Sequence, residues 1–276
     1  MAEKMEEVRC GICGSRESRP FLDMDGFSYQ RCSRCGLVYQ NPRPVFSDLR
    51  KRYSDGYFQY ELENQTNFFN LMKLGLRDIR FDTFYHTVQD GSRKFLDIGC
   101  ATGLLLDHIR SKGWSTKGVE ICRPSVEYAK RVFDLDVFQG TLDEASFPKG
   151  SFDVVHFSHV IEHVSEPKKM LLEIRRVVKD DGHVIVTTPN VDGWHVRFAG
   201  PEWRSAIPDH IYLFSQKTLR RLLELTGFMV VKQVSWGGIP AGRRSGFFKK
   251  PADKLAKLFN IGDVMLFHCT PNGKGG

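Results

Sequence analysis

The stretch FLDIGCATG, residues 95–103, decides the fold of this chain. Its first half is apolar and predicts a buried strand, and Gly99 and Gly103 then bracket a tight turn into a leucine-rich helix. A strand, a glycine turn and a helix in this order bring backbone amides close to a ligand. Glu120 stands 21 residues after Gly99, at the end of the next predicted strand. A carboxylate at that point can accept hydrogen bonds from both hydroxyls of a ribose.

The turn differs from the sequence fingerprint of proteins that bind nicotinamide or flavin dinucleotides. That fingerprint requires glycine at positions 99, 101 and 104, whereas this chain has Ala101 and Leu104. Asp97 would also repel a pyrophosphate, and it suits a ligand with a positive end. A plain structural turn is the alternative for the glycines alone, but their joint spacing with Glu120 favours an adenosine-type ligand.

Strand-like and helix-like segments alternate from residue 93 onward. The strand-like segments are residues 94–98, 117–121, 136–139, 152–157, 183–188, 228–234 and 263–269. Helical patterns separate most of them, which predicts right-handed βαβ units and a parallel sheet covered on both faces. The last two strands have no strong helix between them, so we expect an antiparallel hairpin at the edge. The predicted fold class is therefore α/β, with a Rossmann-like, mostly parallel sheet.

Two Cys-x-x-Cys-Gly motifs stand near the N-terminus. Cys10 and Cys13 form the first, and Cys32 and Cys35 form the second. Four thiolates close a tetrahedral shell with no open position, which predicts a structural zinc ribbon. A segment this small builds little apolar core, so metal would supply its stability. Rubredoxin-type iron and a redox dithiol are the alternatives, and the matched pairs favour a metal over the dithiol.

These features divide the chain into four predicted parts. The zinc ribbon occupies residues 1–44 and ends in a stiff Asn-Pro-Arg-Pro turn. Residues 45–90 form a lead-in rich in aromatic and charged side chains, with apolar residues at helical spacing from 66 to 88. The sheet domain covers residues 91–270, and residues 271–276 form a tail.

Five motifs in one order resemble the class I S-adenosylmethionine-dependent methyltransferases. They are FLDIGCATG at 95–103, GVEI at 118–121, FDVVHFSHVIEHV at 152–164, GHVIVTTPN at 182–190 and DHIYLFSQKTLRRLLELTGF at 209–228. The resemblance covers about residues 91–270 and implies seven strands, one of them antiparallel. It also implies that S-adenosylmethionine is the cofactor.

The resemblance implies a cofactor site residue by residue. Asp97, Gly99 and Gly103 would surround the methionine part, and Glu120 would bind the ribose. Thr141 and Leu142 would lie beside the adenine. Many members carry an acid near position 141 for the adenine amine, and Thr141 departs from that pattern. We add Ser158, at the end of the fourth strand of the sheet, to the predicted cofactor contacts.

Candidate bases follow the fourth and fifth strands of the predicted sheet, where the cofactor edge should lie. His163 comes after the fourth strand and His210 comes in the long segment after the fifth. A neutral imidazole can take a proton from a hydroxyl near neutral pH. Pocket lining without proton transfer is the alternative for both. His156 alternates inward on a buried strand, so we interpret it as a packing residue.

The sequence after the fourth strand constrains the acceptor. Amino-group methylases of nucleic acid and protein often carry an Asn/Asp-Pro-Pro-aromatic turn there, and this chain has Ser158-His159-Val160. A hydroxyl or an acidic carbon is therefore the predicted acceptor, on a small molecule or a glycan or lipid-linked substrate. The chain resembles methylases of quinones, sugars and other metabolites. The alternatives are an RNA base methylase that uses the ribbon to bind RNA, and a binding protein that keeps the fold without catalysis.

Composition and charge add weaker constraints. The 276 residues carry 40 Lys and Arg against 33 Asp and Glu, a net charge of +7 that permits an anionic partner without requiring nucleic acid. No apolar run is long enough for a transmembrane helix and no secretory signal is evident, so we expect a cytoplasmic protein. Residues 246–259 could contact an anionic membrane surface peripherally. We favour the alternative, in which this short helix packs its apolar face on the sheet edge.

Overall fold

Helices and strands alternate along the second half of the chain as the sequence predicts. The computed structural model describes residues 3–83, 93–194, 196–237 and 254–273. Its first strands are β1 (Met5–Glu6), β2 (Ser18–Met24), β3 (Phe27–Cys32), β4 (Val38–Gln40) and β5 (Arg43–Pro44). The lead-in helices are α1 (Phe46–Lys51) and α2 (Asp55–Asp78). The strands that follow are β6 (Lys94–Ile98), β7 (Ser115–Glu120), β8 (Val137–Gln139), β9 (Phe152–Ser158), β10 (Val178–Pro189), β11 (Tyr212–Leu213), β12 (Phe228–Trp236) and β13 (Val264–Pro271), with helices α3 (Leu104–Arg110), α4 (Arg123–Phe133), α5 (Leu142–Ala145), α6 (Pro167–Val177), α7 (Val196–Ala199) and α8 (Gln216–Leu225).

A seven-stranded sheet organises the domain that carries these elements. Its strand order is β12-β13-β10-β9-β6-β7-β8. Strands β8, β7, β6, β9 and β10 pair in parallel, and β13 runs antiparallel to both β10 and β12. The prediction of a mostly parallel seven-stranded sheet with an antiparallel hairpin at one edge is confirmed. The carboxyl ends of β6, β7 and β9 therefore meet at one edge of the sheet.

The sheet is buried on both faces, which explains why its strands read as nearly continuous apolar runs. On one face, α6 and α8 cover it with Leu171, Ile174 and Leu219, all fully buried. On the other face, α3 and α4 bury Leu106, Ile109 and Ala129 against it. This packing leaves the carboxyl edge as the place where loop side chains can converge.

A second sheet joins the cysteine ribbon, the segment that holds β1 to β5, to a segment far along the chain. Its order is β11-β4-β3-β2, and the pairs are antiparallel. Strand β11 supplies the edge through Tyr212 opposite Tyr39 and Leu213 opposite Val38. The ribbon therefore shares one sheet with residues that follow β10 by more than twenty positions. The division of the chain at residues 44, 90 and 270 stays a prediction.

The lead-in helix begins earlier than the sequence pattern indicates. Helix α2 starts at Asp55, whereas the apolar spacing predicted a start near residue 66. The first turns of α2 carry no apolar stripe. They place the half-buried Tyr57 and the buried Glu61 over the carboxyl edge of the sheet instead. Residue 88, the last of the predicted stripe, lies outside the described residues.

The packing interpretation of the stretch 246–259 is wrong for the part that the structure describes. Residues 246–253 lie outside that part, and residues 254–258 form a helical turn. Leu255, Leu258 and Phe259 are 53, 72 and 65% exposed, whereas Ala256 is only 2% exposed. The turn faces the protein with Ala256, so the larger apolar side chains on either side point away from the sheet. Among the described residues, none of the helices combines the length and the apolar character that a bilayer crossing requires.

Candidate cofactor and proton-transfer site

The glycine turn after β6 packs against the segment that follows β9. Gly99 and Gly103 have φ values of +69° and +85°, a region that favours glycine. A Cβ on Gly99 would lie 2.4 Å from Cγ2 of Val160. Only glycine therefore lets this turn approach the loop that carries His163. Backbone hydrogen bonds from the Gly99 and Cys100 amides to the carbonyl of Val119 fix the turn on β7.

Asp97 is held by a histidine that we interpreted as packing. The Nδ1 atom of His156 lies 2.7 Å from Oδ1 of Asp97, and both residues are at most 2% exposed. The two residues are register partners on the neighbouring parallel strands β6 and β9. His156 therefore orients the carboxylate that we predict to face the positive end of the cofactor, so the packing interpretation was incomplete. Strand register was the missing information, because sequence alone does not align β6 with β9.

Glu120 ends β7 in a cradle of backbone amides. Its two carboxylate oxygens accept hydrogen bonds from Ala101 N at 3.0 Å and Cys122 N at 2.8 Å. Burial raises the pKa of Glu120, and these amide bonds oppose that shift. Each oxygen keeps a second lone pair, so the carboxylate fits the two hydroxyls of a ribose as the sequence predicts.

Glu120→Ala is expected to weaken S-adenosylmethionine binding by about 1.5–3 kcal/mol, or roughly 10- to 150-fold, because two hydrogen bonds to a charged acceptor are lost. Calorimetric titration of both proteins measures this. Glu127→Ala is the matched control, since Glu127 is exposed on α4 and pairs with Arg123. Equal affinity in the Glu120 variant and the wild type would contradict the ribose assignment.

The predicted adenine contacts sit at the start of α5. The Thr141 hydroxyl caps this helix by accepting a hydrogen bond from Glu144 N at 3.4 Å, and Glu144 bonds back to Thr141 N. Leu142 is 4% exposed and lies in the apolar core. Ser158 ends β9 opposite Thr187, beside the carboxyl edge. These three residues stay predictions as adenine or cofactor contacts.

The lead-in contributes three polar side chains that the sequence analysis missed: Glu61 is buried, and Tyr53 and Tyr57 are half-buried. Tyr53, Tyr57 and Glu61 recur every four residues, and their rings and carboxylate face the carboxyl edge. Burial and the charge of Glu120 raise the pKa of Tyr53, and Glu61 is 8% exposed with its carboxylate 2.9 Å from the hydroxyl of Ser125. The spacing of four was the available signal. It was passed over because tyrosine and glutamate do not read as a buried face.

Glu61→Gln is expected to flatten the pH dependence of stability in the cofactor-free protein. Burial and the nearby Glu120 raise the pKa of Glu61 to about 8. The folded state therefore holds a proton that the unfolded chain releases near its ordinary pKa, so stability falls as pH rises between those values. The variant should gain a few kcal/mol relative to wild type between pH 5.5 and pH 8.5. Denaturant unfolding at the two pH values measures this, with exposed Glu63→Gln as control. Parallel curves for wild type and Glu61→Gln would show that Glu61 is not held protonated.

Three side chains meet beyond the glycine turn. Ligand-capable atoms of Glu162, His163 and His210 lie within 4.8 Å of one another. The rings of His163 and His210 meet edge to face with centroids 4.7 Å apart. His159 joins the group through its Nδ1, 3.1 Å from Oε1 of Glu162, and it adopts a left-handed φ of +55°. The structure thus brings together the two candidate bases that the sequence placed after different strands, in a grouping that can move a proton or hold an ion.

The protonation states suit base chemistry. Burial lowers the pKa of His163, and burial together with the nearby His163 lowers the pKa of His210 to about 4. Although burial alone would raise it, the hydrogen bond to His159 lowers the pKa of Glu162 to about 2. His163 and His210 are therefore neutral at pH 7 beside an ionised carboxylate.

A small cavity adjoins this group. It measures about 20 Å³ and is lined by Leu49, Arg52, Tyr53, Tyr57, His163 and Asp209. The rings of Tyr53 and Tyr57 meet edge to face at 4.9 Å. The cavity has room for about one water molecule, so an acceptor can enter only after the tyrosines move. A larger open groove of about 730 Å³ lies between α5 and α6, and none of the predicted site residues lines it.

The four ribbon cysteines form one cluster. Their sulfur atoms lie within 4.8 Å of one another, with Cys10 and Cys35 at 3.3 Å and Cys13 and Cys32 at 3.5 Å. Tetrahedral zinc with bonds of about 2.3 Å needs sulfur pairs near 3.8 Å, so the set fits a metal. Gly14 and Gly36 follow the two motifs with φ of +70° and +82°. The geometry supports a metal site, and zinc as its occupant stays a prediction.

The strand order, the glycine turn on β6 and the acid that ends β7 together define the class I S-adenosylmethionine-dependent methyltransferase fold. A family model described as a methyltransferase domain matches residues 73–233. The chain belongs to this methyltransferase family.

Solved structures agree on the fold. An S-adenosylmethionine-dependent methyltransferase from Archaeoglobus fulgidus superposes with a TM-score of 0.56 at 22% identity, covering 78% of this chain and 99% of its own. Another from Methanosarcina mazei gives a TM-score of 0.52 at 16% identity, covering 69% and 98%.

Curated relatives are similar at modest identity. The mitochondrial ubiquinone biosynthesis O-methyltransferase of Schizosaccharomyces pombe is 28% identical over 176 residues, or 58% of this chain and 62% of the relative. The ubiquinone biosynthesis O-methyltransferase of Bartonella quintana is 25% identical over 230 residues, or 79% and 87%. This chain thus spans less than two thirds of the first relative and most of the second.

Proposed function

We propose that this protein transfers a methyl group from S-adenosylmethionine to a hydroxyl on a small aromatic acceptor. The observation that carries the proposal is the contact between the two halves of the site, in which Gly99 packs against the loop that holds His163. A cofactor bound along Asp97 and Glu120 would end beside a neutral imidazole. The relatives named for O-methylation in ubiquinone biosynthesis support a hydroxyl as the acceptor.

The chemistry divides between cofactor and chain. Bound S-adenosylmethionine supplies an electrophilic methyl group on a positive sulfur. Glu120 holds the ribose, and Asp97, oriented by His156, faces the positive end. His163 donates its Nδ1 proton to the carbonyl of Asp209 at 2.9 Å, which leaves the Nε2 lone pair free to accept the hydroxyl proton. The chain therefore aligns the acceptor and removes its proton during an in-line displacement.

The acceptor wall favours an aromatic ring. Tyr53 and Tyr57 offer ring faces and edges, and Leu49 adds apolar surface beside them. The structural zinc ion and a cytoplasmic location are parts of this proposal. Glycan-linked and RNA acceptors, an acidic carbon and peripheral membrane contact stay predictions.

An acceptor panel tests the proposal. The protein is incubated with methyl-labelled S-adenosylmethionine and, in turn, a catechol, the same ring with both hydroxyls capped, a sugar alcohol and an RNA oligonucleotide. We expect label in the catechol alone. Label in the capped ring would move the reaction to carbon, and label in RNA alone would replace the proposal by the RNA alternative.

A further inference from the structure

Two buried side chains of the cysteine ribbon hold the turn that carries His210. The hydroxyl of Tyr29, on β3, lies 3.0 Å from the carbonyl of Ile207 and 2.8 Å from that of His210. The side-chain amide of Gln40, on β4, lies 3.0 Å from the carbonyl of Pro208 and 3.1 Å from that of His210. Two donors from the ribbon thus converge on one turn, residues 207–210.

These contacts are too deeply buried to be incidental. Tyr29 is 0% exposed and Gln40 is 1% exposed. Both residues lie more than 160 positions before the turn in the sequence. A buried polar group that has no access to water needs a hydrogen-bond partner in the protein. Loss of these donors would therefore leave carbonyl groups of the turn without a hydrogen bond. The backbone adds a further bond from Gln40 N to the carbonyl of Ile211 at 2.9 Å.

The turn holds one imidazole through the carbonyl of Asp209, and it carries the other imidazole on His210 itself. His163 donates from Nδ1 to the carbonyl of Asp209, and His210 donates from Nδ1 to the carbonyl of Ser205 at 2.8 Å. Each bond selects the tautomer whose Nε2 carries the lone pair. A displaced turn would remove the acceptor for His163 and free its ring to rotate.

We infer that Tyr29 and Gln40 are positioning residues for the His163–His210 pair. Through these two side chains the cysteine ribbon acts as a brace, by which we mean the hydrogen bonds from Tyr29 and Gln40 to residues 207–210. The brace sets the tautomer and the ring orientation of the proton-accepting imidazole. The brace is continuous with the cysteine cluster, because the Tyr212 ring packs on Gly11 between Cys10 and Cys13. The inference rests on the proposed function only in assigning the imidazoles a use.

The test compares three single substitutions in the full-length protein. Tyr29→Phe removes one oxygen, and Gln40→Met removes the amide while keeping the side-chain length. Tyr39→Phe is the matched control, since Tyr39 is equally buried on the neighbouring strand and its hydroxyl makes none of the hydrogen bonds to residues 207–210 given above. Hydrogen exchange over residues 205–212 and nitrogen spectra of the histidine rings are recorded, with metal content and cofactor affinity.

We expect exchange in the turn to accelerate by about tenfold in Tyr29→Phe and in Gln40→Met, and His163 to pass from one tautomer to a mixture. The control should match the wild type, and metal content and cofactor affinity should stay constant. Wild-type exchange and a single tautomer in both variants would overturn the inference. If Gln40→Met fails to fold, Tyr29→Phe alone decides.

The same variants separate this inference from the proposed function. None of these readouts needs methyl transfer, so an inactive wild type would defeat the proposed function and leave the brace intact. Where the acceptor panel gives activity, the positioning role predicts a lower kcat with an unchanged KM for S-adenosylmethionine. A shifted tautomer with wild-type kcat would show that the brace does not serve the reaction, and would overturn the positioning role.

Discussion

Replacing His163 by glutamine is expected to slow methyl transfer by about 10²–10⁴-fold and to leave the affinity for S-adenosylmethionine within about twofold. Glutamine can still donate to the carbonyl of Asp209, but it cannot accept the hydroxyl proton. His163 is the better candidate of the two histidines, because it lines the cavity whereas His210 is only 7% exposed and supports it from the side. Single-turnover rates with labelled cofactor and the acceptor found in the panel measure the effect.

The pH profile gives this prediction its second arm. Burial places the pKa of His163 below its ordinary value, so the wild-type rate should rise with pH through that pKa and be level at pH 7. The glutamine variant should lack this rise. His108→Gln, on α3 and outside the cluster, is the control. A variant that loses thermal stability in step with its rate would mean that His163 only packs the pocket.

Removing one ribbon cysteine is the second change with a large expected effect. Cys13→Ser should abolish stable binding of one metal ion per chain, because it removes one of the four thiolates that together supply a binding free energy of about 10–16 kcal/mol in structural zinc sites. The ribbon should then unfold, while we expect the seven-stranded sheet to persist at a lower Tm. Metal analysis and circular dichroism measure both changes.

The packing around the ribbon sharpens this expectation. Cys10, Leu37 and Tyr39 belong to the same apolar cluster as Tyr212 and Phe214, so an unfolded ribbon exposes core residues of the later segment. Cys269→Ala, on β13, is the control and should keep its metal. Freshly purified wild-type protein without zinc or iron would refute the metal assignment.

The sequence carried most of the local architecture. The turn at Gly99 and the acid at Glu120 predicted the cofactor edge because a βαβ unit is built from neighbouring segments. The four cysteines predicted their own cluster for the same reason, since the two cysteines of each motif are only three positions apart. Apolar residues that repeat every second position, or about every fourth, were enough to predict the seven strands and the helices α6 and α8.

The missing parts are contacts between distant segments. Strand β11 has two residues and pairs with β4 across more than 170 positions, so no periodicity marks it. The bond between His156 and Asp97 depends on the register of β6 and β9. Glu61 is an acidic residue that the fold buries beside the hydroxyl of Ser125, with its pKa raised. Each of these is decided by tertiary packing, which overrides the local preference of the residues.

A structure of the protein bound to S-adenosylhomocysteine tests most directly whether the cofactor edge and the imidazole pair form one site. The account predicts the ribose on Glu120, the amino group toward Asp97, and the sulfur directed at the space between Nε2 of His163 and Tyr53. A ligand bound away from Glu120, or a sulfur that points away from His163, would contradict it.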